Sequence, residues 1–162
     1  MYKFYILWIR DITCIGNTYY MQLTSFTDYG LRSLMYLSAQ PGKLCSVREI
    51  AEHYGISRNH LVKVVHRLSQ LGYIQSTKGK GGGIKLAHAP ENLKIGDLIR
   101  ALEPGMNLVE CFDPDTNTCN ITNACQLKHF LFEANGVFIE TLNRHTLADT
   151  VADKAKFLNA LL

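Results

Sequence analysis

The 162-residue sequence lacks any apolar run that could span a bilayer. Its longest, FYILWI near the N-terminus, falls far short of the roughly twenty residues a spanning helix needs. Lys3 precedes that run as in a signal peptide. Six residues are short for an apolar signal core, however, and Arg10 and Asp11 close it without a small-residue cleavage site. The expectation is a cytoplasmic chain that does not enter a membrane. Cysteines number five, which is odd and too few for a disulfide scaffold. Repeats and low-complexity tracts are missing. So is a catalytic constellation, because the histidines fall on helical segments beside basic residues with no positioned nucleophile or carboxylate pair. An enzyme is not expected.

One absence is local. Between His53 and Pro90 there is no Asp or Glu, while Arg58, Lys63, Arg67, Lys78, Lys80 and Lys85 all fall there. The formal net charge is only +3, so the total says little and the distribution says more. A basic block with a near-neutral remainder is the pattern of one face meeting a polyanion. Against that stands a merely solvated basic surface. Hydrophobic residues make up 47% of the chain, enough for a real core.

Along the chain, Met21 reads as a natural start, and residues 1–20 read as a non-native or dispensable extension. Thr27 is expected to cap a first helix that ends at Pro41-Gly42. Ser46 and Glu49 form a capping box for the helix VREIAEHY, which Gly55 breaks. Ser57 is expected to cap a third helix, RNHLVKVVHRLSQL. There Leu61, Val64, Val65, Leu68 and Leu71 make one apolar stripe that Gly72 stops. YIQSTK and GIKLAH read as strands around a glycine-rich turn. LKIGDLIRALEP reads as a fourth helix. Leu127, Phe130, Leu131, Ala134, Val137, Phe138 and Leu142 then keep a helical period along the longest helix. Thr146 is expected to cap a last short helix. The expected fold is mainly α with a small β-hairpin: a winged helix-turn-helix over 21–104, a cysteine loop over 105–126, and a long helix with a C-terminal helix over 127–162.

With its apolar stripe inward, the third helix presents Arg58, Asn59, His60, Lys63, His66 and Arg67. Such a face suits a major groove, where Arg and Asn bond base edges bidentately. Ser57 and the free N–H groups at the helix start suit a phosphate. The hairpin tip KGKGGG lets backbone approach a second phosphate, flanked by Lys78 and Lys80. It is not a P-loop, since no GKS or GKT follows before a helix.

Cys111, Cys119 and Cys125 are spaced C-x7-C-x5-C. A disulfide would leave one thiol over, and the cytosol would reduce it. Zinc wants closer pairs, although His129 could be a fourth ligand. An iron–sulfur cluster is the best use, because thiolates are its preferred ligands and a non-cysteine group can complete the set. The first gap is long, at little cost in loop entropy.

The segments MQLTSFTDYGLRSL, YGISRNHLVKVV, GKGGGIKL, IGDLIRALEP, LVEC and HTLADTV together resemble the winged-helix family of iron–sulfur regulators that includes IscR, and within it the nitric-oxide-sensing repressors. The similarity covers Met21 to about Val151. It implies a homodimer that holds a 4Fe-4S or 2Fe-2S cluster on Cys111, Cys119 and Cys125. It implies a transcriptional repressor of a palindromic double-stranded operator, released when nitric oxide attacks the cluster. It also implies Asp28, from the partner subunit, as the fourth ligand. In its first-turn position Asp28 is equally suited to favouring its own helix, and His129 is the rival ligand. The broad stripe of the long helix is what a dimer interface would carry, with packing inside one chain as the alternative. A dimer would set two recognition helices about one DNA turn, roughly 34 Å, apart.

Overall fold

The computed structural model describes residues 22–153 and 156–157. The expected extension over residues 1–20, the start at Met21 and Cys14 lie outside these residues.

Helix α1 spans Ser25–Ala39. Its cap is Thr24 and not the expected Thr27: the Thr24 hydroxyl accepts from the Thr27 N–H at 3.3 Å. Thr27 itself is fully buried inside the first turn. The carboxylate of Glu103 accepts from both the N–H and the hydroxyl of Thr24 at 3.1 Å, which fastens the start of α1 to the far end of the domain. Helix α2 spans Val47–Tyr54, with the Ser46–Glu49 capping box in place. Helix α3 spans Arg58–Gln70. Ser57 holds its N-cap position, but its side chain makes no capping hydrogen bond, so the expected cap is positional only.

Strands β1 (Ile74–Thr77) and β2 (Gly83–Leu86) pair antiparallel in register Ile74↔Leu86. They are shorter than the segments that suggested them. Gly79 and Gly81 turn the hairpin at φ 99° and 83°, a region that favours glycine. Cys45 adds a third, single-residue rung, its backbone exchanging hydrogen bonds with Ile84 at 2.9 and 2.8 Å. Burial pushes its thiol up from the ordinary range.

Helix α4 (Ile95–Leu102) follows a single 3-10 turn, and α5 (Gln126–Leu142) follows the cysteine loop. Gly96 lets α4 meet the end of α5, since a Cβ there would fall 2.5 Å from the carbonyl of Ile139. Asn143 locks the crossing by exchanging hydrogen bonds with the N–H and carboxylate of Asp97, both 2.9 Å. Where a last short helix was expected to start at Thr146, the described residues hold a 3-10 turn, Asp149–Val151. Ahead of that turn Thr146 and Asp149 bond each other's N–H, but its N-cap position falls on Ala148 and not on the expected Thr146.

Leu34, Ile50, Leu61, Leu68, Leu98 and Leu147 are fully buried in one core. Each contributes about 1.5–3 kcal/mol relative to exposure. The architecture is a winged helix-turn-helix, mostly helical, with one two-stranded hairpin. No helix among the described residues is long and apolar enough to cross a membrane.

Candidate nucleic-acid interface and cysteine loop

In α3 the apolar stripe is buried as its spacing requires, with Leu61 and Leu68 at 0% exposure and Val64 at 1%. Ser57, Arg58, Asn59, His60, Lys63, His66 and Arg67 are all exposed. Lys78 and Lys80 are exposed at the hairpin tip. The ion pairs among the described residues join Arg32 to Asp28, Lys43 to Glu49 and Arg48 to Glu52. None of them uses a cation of α3 or the hairpin. Helix and wing therefore present charge that no acid of the described chain neutralises.

The three loop cysteines are free and half-buried. Cys111 sits in a 3-10 turn, Glu110–Phe112, and Cys125 is the N-cap of α5. Cys119 is held between them by Asn117, whose side-chain oxygen accepts the Cys119 N–H at 3.0 Å. Thr122 donates to the Cys119 carbonyl at 2.7 Å. Phe112 meets Phe132 of α5 edge-on with ring centres 5.9 Å apart, so the turn carrying Cys111 is pinned to the helix that Cys125 starts. Among the described residues, no three His, Cys, Asp or Glu side chains converge as a finished metal site. The donor set nonetheless fits an iron–sulfur cluster: three unbridged thiols on one loop, one of them at a helix start whose first turn holds no acid.

Asp28 lies in the first turn of α1, where Arg32 grips it through two contacts, 2.9 Å from Nε and 2.8 Å from Nη2. Sequence reading missed this pairing, although the i, i+4 spacing was there to be seen. His129 is exposed in the first turn of α5. Neither side chain is grouped with the three thiols.

The apolar stripe of α5 splits in two. Leu131, Phe138 and Leu142 are half-buried and Ile139 is buried. Leu127, Phe130 and Val137 stand out at 60%, 62% and 55% exposure. Beside this outer row lies an apolar groove of about 350 Å³, lined by Leu23, Met106, Leu108, Ala134 and Phe138 among others.

Comparison with known proteins agrees with this architecture. The profile of the Rrf2 family, described as iron-dependent transcriptional regulators, matches residues 23–153. The HTH-type transcriptional regulator NsrR of Bacillus subtilis is 46% identical over 142 residues, covering 87% of this chain and 97% of that protein. The regulator of the same name from Shouchella clausii is 48% identical over 143 residues, with coverage of 88% and 95%. Among solved structures, T. potens IscR superposes with a TM-score of 0.65 at 25% identity, covering 82% of this chain and 88% of that one.

Proposed function

The chain belongs to the Rrf2 family of iron-dependent transcriptional regulators, and we propose that within it the protein is a homodimeric repressor that senses nitric oxide through an iron–sulfur cluster. The single observation that carries the DNA-binding half is the amphipathic α3, whose exposed cations have no acid partner among the described residues. Arg58, Asn59, His60 and Lys63 would read base edges, with Ser57 and the free N–H groups on a phosphate. Lys78 and Lys80 would hold the neighbouring backbone. The Ser57 hydroxyl is free for this because it makes no capping bond of its own.

Cys111, Cys119 and Cys125 would hold the cluster. Such a group supplies iron that reacts with nitric oxide. The chain's part is to set its exposure and its link to the DNA-binding domain. Cys125 does so by ending the loop on the N-terminus of α5, where unpaired N–H groups favour negative charge. Asp28 of a second subunit would complete the ligand set. The relatives called NsrR and the missing fourth thiolate support this choice, as does the ease with which an oxygen ligand leaves iron. Exposed Leu127, Phe130 and Val137 would form the dimer seam.

Anaerobically purified protein tests the reading through visible absorption, native mass spectrometry and operator binding, each before and after nitric oxide. A cluster-bearing dimer that releases its palindromic duplex on exposure is the expected result. Protein that holds a cluster and binds DNA but ignores nitric oxide would point to a regulator of iron–sulfur status. A cluster without DNA binding would make it an electron-transfer protein.

A further inference from the structure

We propose that the cleft between α3 and α4 is a further phosphate site, with Arg100 its principal ligand, so that duplex backbone is gripped beyond the recognition helix and the wing. The proposal rests on the DNA-binding reading above. The cleft has a volume of about 630 Å³, and Lys63, His66, Arg67 and Arg100 line it together. Its lining shares Lys63, His66 and Arg67 with the exposed basic face of α3, so a duplex seated on that face would bring its backbone to the cleft.

Two acids lie nearby, each hydrogen-bonded by neutral groups that leave its charge in place. The cleft therefore keeps three cations, Lys63, Arg67 and Arg100, against the one carboxylate of Glu103. Asp97, one turn before Arg100, is tied to Asn143 at 2.9 Å. Glu103, which also lines the cleft, accepts two hydrogen bonds from Thr24 at 3.1 Å. No ion pair among the described residues involves Lys63, Arg67 or Arg100. Arg67 and Arg100 sit in the last turns of their helices. A helix dipole favours cations there, but with only about half a charge at each end. That leaves the guanidinium donors free, and the planar fork of Arg matches two phosphate oxygens at once. Arg100 lies outside the acid-free window that ends at Pro90, and the fold brings it to Lys63 and Arg67.

The salt dependence of binding by the cluster-loaded dimer decides the matter. The probes are a palindromic duplex selected from a random library and a scrambled duplex of equal length. Arg100→Gln should lower the slope of log affinity against log salt by about 0.9. Affinity near 0.1 M salt should fall about five- to tenfold, equally on both duplexes, and Arg100→Lys should restore the slope. An unchanged slope and affinity in Arg100→Gln, while Lys78→Ala lowers both, would overturn the phosphate site and leave DNA binding intact. Loss of dimer or cluster in Arg100→Gln without a change in slope would overturn it in favour of a second copy's acidic cysteine loop. Failure of the cluster-loaded wild type to select or bind any duplex would overturn the DNA-binding reading itself.

Discussion

Up to Leu102, every helix and strand places side chains in the core; from Glu103 to Phe138 no residue is buried at all. The α5 helix, longest among the described residues, buries only Ile139, whereas the shorter α3 buries Leu61, Val64, Val65 and Leu68. Its C-terminal end is secured, with Leu147 and Val151 buried and residues 145–147 bonded back onto 93–95. Its N-terminal end and the loop before it are not. A helix gains most of its stability from packing, so one that leaves Leu127, Phe130, Phe132 and Val137 exposed expects something the single chain does not supply. The winged domain completes itself; under the proposed function, a cluster and a second copy would complete the cysteine loop and the outer face of α5.

The largest effect should come from breaking that second completion at its centre. Replacing Cys111, Cys119 or Cys125 with Ser should abolish the cluster and tight operator binding, since two thiolates cannot retain it. Circular dichroism should still report a folded winged domain, because none of these thiols lies in its core. A Ser variant that keeps the visible absorption would remove that cysteine from the ligand set.

A paired substitution sharpens the contrast. Leu61→Ala empties a fully buried site and should destabilise the fold by about 2–5 kcal/mol in denaturant titration. Phe130→Asp, at a 62% exposed position, should leave the fold within about 0.5 kcal/mol under monomeric conditions. Sedimentation should nonetheless show the dimer lost. If Phe130→Asp stays dimeric, the outer face of α5 is not the seam.

These differences mark where sequence reading succeeds. The stripe of α3, the Ser46–Glu49 box and the glycine-turned hairpin were legible because local spacing and packing agree there. Thr24 was missed as the cap although its bond to the Thr27 N–H is local, because the sequence offers two threonines and only the fold buries Thr27 and ties Thr24 to Glu103, 79 residues away. The two-sided nature of α5 was hidden for a related reason: an apolar stripe does not say which of its residues face the same chain. The cysteine loop was legible as chemistry but not as geometry, for its thiols do not converge among the described residues. Arg100 was invisible until the fold set the end of α4 across a cleft from α3.

The fourth ligand offers a smaller effect. Asp28→Ala should leave a dimer that holds its cluster less firmly, whereas His129→Ala should matter little; decay of the visible absorption under a chelator measures both. Asp28 must first leave Arg32, but that exposed pair is worth only about 0.3–0.5 kcal/mol and is no obstacle. Rapid decay in His129→Ala beside normal decay in Asp28→Ala would reverse the assignment.

The smallest effect lies within the self-completed half, which is not flawless. Tyr36 and Tyr54 stack edge to face at 6.2 Å, yet only Tyr36 has a partner, donating to Glu49 at 2.8 Å. The buried Tyr54 hydroxyl has none. Burial raises the phenol of Tyr54 from its ordinary 10.0 to about 12, so the neutral form is favoured in the fold. Its contribution is complete below pH 10 and is lost as pH climbs through about 12, with Tyr36 and Tyr73 adding to the alkaline decline in the same direction. Tyr54→Phe removes an unpartnered hydroxyl and keeps the ring that Arg32 overlies at 6.0 Å. Stability at neutral pH should therefore equal the wild type or exceed it by up to about 1 kcal/mol, and the decline above pH 10 should become shallower. A loss of more than about 1 kcal/mol at pH 7 would mean that the hydroxyl bonds something after all, with an ordered water in the core the natural partner.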